Sequence, residues 1–359
     1  MATKNARGET LISQRGPLHN DDGTLRVPGY STSLVLNYDR KRIKASKWRI
    51  KEWDYYLVGD DRYAIALTLS DLGYIGLISA SMIDYERADF VTTSALAVMP
   101  MGKFKMPPSS AEGVSKYRSK RVNMRFETKG GVRTLTARFA QFAGEEDLTM
   151  KVVLDQEPRD SMVIATPWPE DPKAFYYNQK IVGMRARGSF TKGEMTHEFA
   201  EDSAFGLLDW GRGVWTHDNM WYWSAAQGMQ NGCVFGMNLG YGFGDTSAAS
   251  ENMVFVDGVA HKLGRVDFGI PVKEGAKRAK KIGDMFDLME PWHMTDNEGR
   301  LDLIFTPIVD RMDGMDYKVV STDQHQVFGR FDGRVVLDDG TEFAIEGLKG
   351  FAEAVHNVY

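Results

Sequence analysis

Residues 47–86 read KWRIKEWDYYLVGDDRYAIALTLSDLGYIGLISASMIDYE. Three runs rich in β-branched and aromatic residues are divided first by Asp60-Asp61 and then by Asp71 and Gly73. Runs of this length and composition, bounded by turn formers, read as successive antiparallel strands. The pattern continues outward. RVNMRFET turns at Lys129-Gly130-Gly131 into VRTLTARFAQ, and DLTMKVVLDQ is followed by SMVIATPW. In the second half QKIVGMRARGSFTKG and RLDLIFTPIVD read as strands, and Asp257-Gly258 lies between apolar runs as a hairpin turn. Two further Asp-Gly turns are expected at Asp332-Gly333 and Asp339-Gly340. The tail LKGFAEAVHNVY has apolar residues at helical spacing and predicts one short C-terminal helix. The expected class is all-β, mainly antiparallel, built as sandwiches or barrels with that closing helix. Residues 1–30 read as an irregular arm, with turn signals at Gly16-Pro17, Asp21-Asp22-Gly23 and Pro28-Gly29. Pro167, Pro169 and Pro172 crowd the segment TPWPEDPKAF, and proline removes a ladder donor. A boundary is therefore expected near residue 170, giving β domains at 1–170 and 171–359.

The chain of 359 residues carries a net charge of −5 with a pI near 5.9, which gives no reason to expect nucleic acid as a partner. The basic run RKRIKASKWRIK reads as a solvated face, and PVKEGAKRAKKIGD as a solvated loop. The one cysteine, Cys233, allows no intrachain disulfide and reads as a buried, inert thiol. No apolar run approaches the roughly 18 residues of a membrane helix. The polar start MATKNARGETLISQ lacks the apolar core of a secretory signal, so a cytoplasmic location is the expectation. Nucleophile-elbow, Walker A, H-E-x-x-H and C-x-x-C motifs are absent, and the scattered histidines show no metal-ligand spacing. No metal and no cofactor are expected.

The candidate site lies in LLDWGRGVWTHDNMWYWSAAQGMQNGCVFGMNLGYGFG, residues 207–244, which holds Trp210, Trp215, Trp221 and Trp223 of the eight tryptophans. An aromatic wall with a few polar groups is what a small-molecule pocket needs. Asp209 among those indoles is the candidate general acid, and His217 the candidate proton relay. An i, i+3 ion pair between Asp209 and Arg212 around a turn is the competing structural role, and HDN at 217–219 also reads as a plain turn. Period-2 alternation sets Trp221 and Trp223 on one face and Tyr222 on the other. Asn238 is a polar residue in an apolar strand and needs a hydrogen-bond partner, which a ligand could be. Arg212, Trp210, Trp215, Trp221, Trp223, Asn238, Tyr241, Asp245 and Glu251 are grouped as substrate-binding candidates. The glycines of GMNLGYGFGD read as places of tight strand packing or close ligand approach.

Three segments together resemble a family of bacterial proteins known only as a domain of unknown function. They are PLHNDDGTLRVPGYS with KASKWRIKEWDYYLVG, the central LLDWGRGVWTHDNMWYWSAAQG to ENMVFVDGVAHKL, and the terminal QVFGRFDGRVVLDDGTEF to GFAEAVHN. More distantly, Asp209-Trp210 followed by Trp221 and Trp223 is similar to the lipocalin-like group of carotenoid 1,2-hydratase (hydroxyneurosporene synthase) and related pericyclic cyclases. Gly211 and Arg212 stand where that group usually carries a further acidic residue. The resemblance implies two calycin-like β domains with a cavity at a barrel mouth or between them, and chemistry on an apolar, unsaturated compound. The leading expectation is a cofactor-independent enzyme performing proton-assisted hydration, dehydration, isomerisation or cyclisation on a hydrophobic small molecule. Two alternatives stand beside it. One is a non-catalytic carrier of a small molecule. The other is a glycosidase pairing Asp209 with Asp245 or Glu251.

Overall fold

The computed structural model describes residues 2–144, 146–155, 159–276, 281–317 and 320–358. Nearly all regular structure is antiparallel β, arranged as one 15-stranded sheet and one nine-stranded sheet, with a two-stranded parallel pair in the N-terminal arm. The larger sheet spans the first half and is organised around the long strand Asp171–Lys192. That strand pairs with Met162–Trp168 and Glu146–Asp155 on one side and with Phe205–Val214 on the other. Phe205–Val214 then leads through Ile50–Gly59, Tyr63–Asp71 and Ile75–Asp84 to the edge strand Asp89–Val98. The nine-stranded sheet curls into a half-barrel, with Glu342–Val358 paired between Asp218–Gln230 and Val320–Val336.

The strands 50–84 bury both faces, which is why they read as almost continuous apolar runs. Tyr56, Val58 and Leu67 enter a core that the large sheet closes over itself, together with Met124, Leu135 and Val152. Tyr55, Leu57 and Ala66 point the other way and pack against Trp223, Phe328 and Phe351 of the half-barrel. The half-barrel has its own core around Phe235, Trp292, Phe305 and Phe331.

Several turns fall where local chemistry places them. Asp257 and Gly258 both take positive φ, 48° and 77°, between Val256 and Val259, as a two-residue hairpin turn requires. Gly130-Gly131 does the same between Lys129 and Val132. Asp332-Gly333 is different, because it lies inside the strand Val320–Val336.

One expectation about architecture is corrected. The C-terminal segment is a strand and not a helix: Glu342–Val358 is hydrogen-bonded on both sides. Its apolar spacing imitates a helix because a bulge interrupts the alternation, with Ile345 opposite Gly333 but Leu348 opposite Phe331. The helices described are the single turn Ile282–Met285 and two short 3-10 turns, Arg40–Arg42 and Lys47–Arg49. The 3-10 turns occupy the basic run, and part of the basic loop expected at 271–284 lies outside the described residues. The chain passes from one sheet to the other between Val214 and Asp218, and the proline-rich segment near residue 170 is a hairpin within the large sheet. Pro167 is tolerated there because it lies beyond Ala165, the last residue of its strand paired with Gly29–Ser31.

Candidate functional site

The two sheets face each other across a cavity of about 320 Å³, within the range of small-molecule sites. Its walls follow from strand register. On the large sheet, Lys180 lies opposite Asp209, Asp209 opposite Tyr55, Tyr55 opposite Thr68, and Thr68 opposite Ser79. On the half-barrel, Gly240, Trp223, Glu353, Gln326 and Arg311 form a second cross-strand row. The rows meet side chain to side chain. The Lys180 ammonium lies 3.6 Å from the centre of the Trp223 ring, and Gln326 Nε2 donates to the Tyr55 hydroxyl at 3.3 Å. Trp53, Trp215, Trp221 and Phe243 close one end with edge-to-face contacts, Trp215 to Trp53 at 5.3 Å and Trp221 to Phe243 at 5.3 Å.

Asp209 is 7% exposed and is held by Lys180 Nζ at 2.8 Å and Asn178 Nδ2 at 2.6 Å. Glu353 is 4% exposed. Its carboxylate accepts from Gln326 Nε2 at 2.5 Å and from Trp221 Nε1 at 3.4 Å. Burial pushes the Glu353 carboxyl up to about 7, with Arg311, Lys180 and the Trp221 hydrogen bond opposing and Asp209 adding to the rise. Glu251 is also raised by burial, against the pull of Lys180 and Asn238. The cavity therefore presents three carboxyls beside two cations and a set of indoles, and Glu353 carries a proton that is exchangeable near neutrality.

The residues expected from sequence separate by face. Asp209, Trp215, Trp221, Trp223 and Glu251 line the cavity. Asn238 stands behind them, accepting from Trp223 Nε1 at 2.7 Å and donating to Glu251 Oε2 at 3.2 Å. Trp210 and Arg212 do not reach the cavity. In an extended strand an odd offset from Asp209 reverses the face. Arg212 is fully buried on the opposite side, bonded to Asp54 at 3.2 Å and to the carbonyls of Trp53, Gly211 and Pro107 at 2.8 Å each. Trp210 packs there between Tyr38 and Tyr177. The expected Asp209–Arg212 pair is thus replaced by Asp209–Lys180. His217 is exposed in the crossing loop, where Thr216 and Asn219 close the turn, and it is not among the residues that line this cavity. Tyr241 stacks on Tyr222 at 4.6 Å beside the half-barrel core. Asp245 caps a loop turn through Ser247 N at 2.9 Å. Cys233 is partly buried at a hairpin, and its thiol is pushed up by burial and by Asp257.

Lys180, Glu353, Trp53, Tyr55, Gln326 and Arg311 escaped the sequence reading. Lys180 in NQKIVG and Glu353 in FAEAVHN are charges within apolar strands, the same signal that singled out Asn238. Trp53 had a further trace. Gly211 lies directly opposite it, and a Cβ on Gly211 would collide with the Trp53 indole, so the glycines of DWGRG make room for aromatic rings. Gly240 likewise leaves space for the Glu251 carboxyl, which a Cβ there would approach to 2.6 Å. Among the described residues no cluster of His, Cys, Asp and Glu has the arrangement of a metal site.

Fold and cavity together define a two-sheet, lipocalin-like protein with a small-molecule-sized chamber between its sheets. The chain belongs to the family described as domain of unknown function DUF2804, whose model matches residues 9–359. No curated protein sequence matches it. Among solved structures it is similar to CghA with Sch210972, at 11% identity and TM-score 0.55, covering 95% of this chain and 97% of that one. An AttH-like protein from Nitrosomonas europaea aligns at 10% identity and TM-score 0.53, covering 90% and 96%. Kievitone hydratase from Nectria haematococca aligns at 10% identity and TM-score 0.49, covering 86% and 88%. At these identities the likeness to the first two establishes the fold. No helix among the described residues is long and apolar enough to cross a membrane.

Proposed function

We propose that the chain is an enzyme acting on a hydrophobic small molecule by proton transfer, in a hydration, dehydration, isomerisation or cyclisation, without a bound cofactor. The observation that carries this reading is the Glu353 carboxyl, buried against an aromatic cavity and holding its proton to about pH 7. A general acid works best when its pKa lies near the operating pH. Glu353 donates its proton to the substrate, and Asp209, ion-paired to Lys180, supplies a fixed negative charge close by. The faces of Trp221 and Trp223 stabilise the positive charge that develops on an unsaturated carbon skeleton. CghA, which shares the fold, was crystallised with a small molecule, and this supports the cavity as a ligand site.

The test begins by identifying, by mass spectrometry, the small molecule that co-purifies with the protein. Wild type, Glu353→Gln and Asp209→Asn are then compared for turnover of that compound. Loss of about 100-fold or more in kcat in both variants, with binding retained, is expected for an acid and its charge partner. The wild-type rate should fall above pH 7 as Glu353 loses its proton. Wild-type turnover in both variants overturns the reading, and binding without any chemical change favours a carrier. Glycoside hydrolysis keeps one observation in its favour, that Asp209, Glu251 and Glu353 line one cavity; a co-purifying sugar would select it.

A further inference from the structure

The cavity has two ends of different chemistry. Further along the wall from the tryptophans, Thr68, Ser79 and Thr92 of the large sheet bring hydroxyls to the cavity, and Arg311 of the half-barrel reaches the same space. Arg311 Nε donates to Gln326 Oε1 at 2.9 Å and one Nη donates to Ser81 Oγ at 3.2 Å. The guanidinium is thereby fixed from both sheets. Among the described residues no carboxylate lies within ion-pair distance of Arg311, which acts on Glu353 only at longer range, whereas Lys180, the other cation on the wall, is paired with Asp209. A guanidinium carries five N–H donors, and among the described residues those two bonds leave three uncommitted on an already ordered fork.

We infer that Arg311 receives a carboxylate of the substrate, so that the compound bound here is an apolar molecule ending in a carboxylate, with its carbon skeleton against the tryptophans. This deepens the proposed function and rests on that reading of the cavity. A planar carboxylate takes two parallel N–H bonds from such a fork, and the hydroxyls serve its remaining lone pairs. A singly charged group fits better than a phosphate, because among the described residues the wall offers no second unpaired cation to balance a second negative charge. Binding also has a consequence for the acid: a carboxylate on Arg311 neutralises the guanidinium that otherwise draws the proton off Glu353.

The experiment measures equilibrium binding of dodecanoate and of its methyl ester, read by tryptophan fluorescence. It uses the full chain and the variants Arg311→Gln, Arg311→Lys and Glu353→Gln, with each variant's fold checked by circular dichroism. Wild type should hold the acid about 10- to 100-fold tighter than the ester, the range of a charge-assisted pair. Arg311→Gln should remove that preference while leaving ester binding unchanged, and Arg311→Lys should keep part of it. Equal affinity for acid and ester in wild type, failure to bind either, or a preference that survives Arg311→Gln overturns the inference. Because binding is read without turnover, the two proposals fail separately. A carboxylate preference that depends on Arg311, in a protein whose Glu353→Gln variant turns over normally, upholds the anion site and discards the acid.

Discussion

Glu353 sets the pH behaviour at the residue scale. Its carboxyl titrates near 7 in the folded chain against a reference value of 4.5. Its raised folded pKa means that the proton is bound more tightly in the native state. The associated stability is fully present below pH 4.5 and is lost as pH rises through 7. A shift of this size corresponds to about 3 kcal/mol between the two limits. Urea denaturation at pH 5 and pH 8 should show wild type losing up to that amount relative to Glu353→Gln, which cannot ionise. Parallel pH dependence in the two proteins would mean that the carboxyl is not buried. Asp209 shows how one residue's partner depends on the strand it sits in. From the local sequence DWGR its natural partner is Arg212, three residues on. In the pleated strand that offset places Arg212 on the far face, and the cross-strand neighbour Lys180 takes its place.

At the scale of elements, the C-terminal strand carries the instructive departure. Phe343 and Ile345 enter the half-barrel core on odd positions, and Leu348, Ala352 and Ala354 enter it on even ones. The switch of face occurs at the bulge containing Glu346 and Gly347, where Gly347 has φ of 59°. A strand that changes face midway, and is then buried on both sides, has no clean period of two, so it reads as helical. The same bulge sets which face Glu353 occupies. Gly347→Ala meets no neighbouring atom, and its cost is purely the left-handed backbone, about 1–2 kcal/mol. Chemical denaturation should show a loss of that size, and Gly347→Asn should lose less. An unchanged midpoint for Gly347→Ala would show that the bulge is not formed as described. Short turns were legible by contrast, because Asp257-Gly258 and Gly130-Gly131 need only their own residues to reverse the chain.

For the whole molecule, the space between the sheets is divided. Tyr55, Trp223 and Phe351 meet edge to face, with Trp223 and Phe351 4.8 Å apart, and form a partition. On the far side lies a second cavity of about 350 Å³, reached one step along the same strands at Leu57, Leu207 and Ala225. Phe351→Ala should remove part of the partition and join the two spaces. Loss of a fully buried phenyl ring predicts a cost of about 3–5 kcal/mol in denaturation experiments. The joined cavity should also accept apolar chains longer than those wild type binds. Wild-type stability together with unchanged ligand length would show that Phe351 is not a wall between them. The strand content, the antiparallel class, the aromatic band at 207–244 and the shared face of Trp221 and Trp223 were determined by the sequence itself. Those features depend on composition and alternation over a few neighbouring residues. The meeting of Asp209 with Lys180, the opposition of Glu353 to the tryptophans, and the removal of Trp210, Arg212 and His217 from the cavity were decided by the tertiary structure. Register and bulges between strands far apart in the chain choose which face each side chain takes, and no local pattern carries that information.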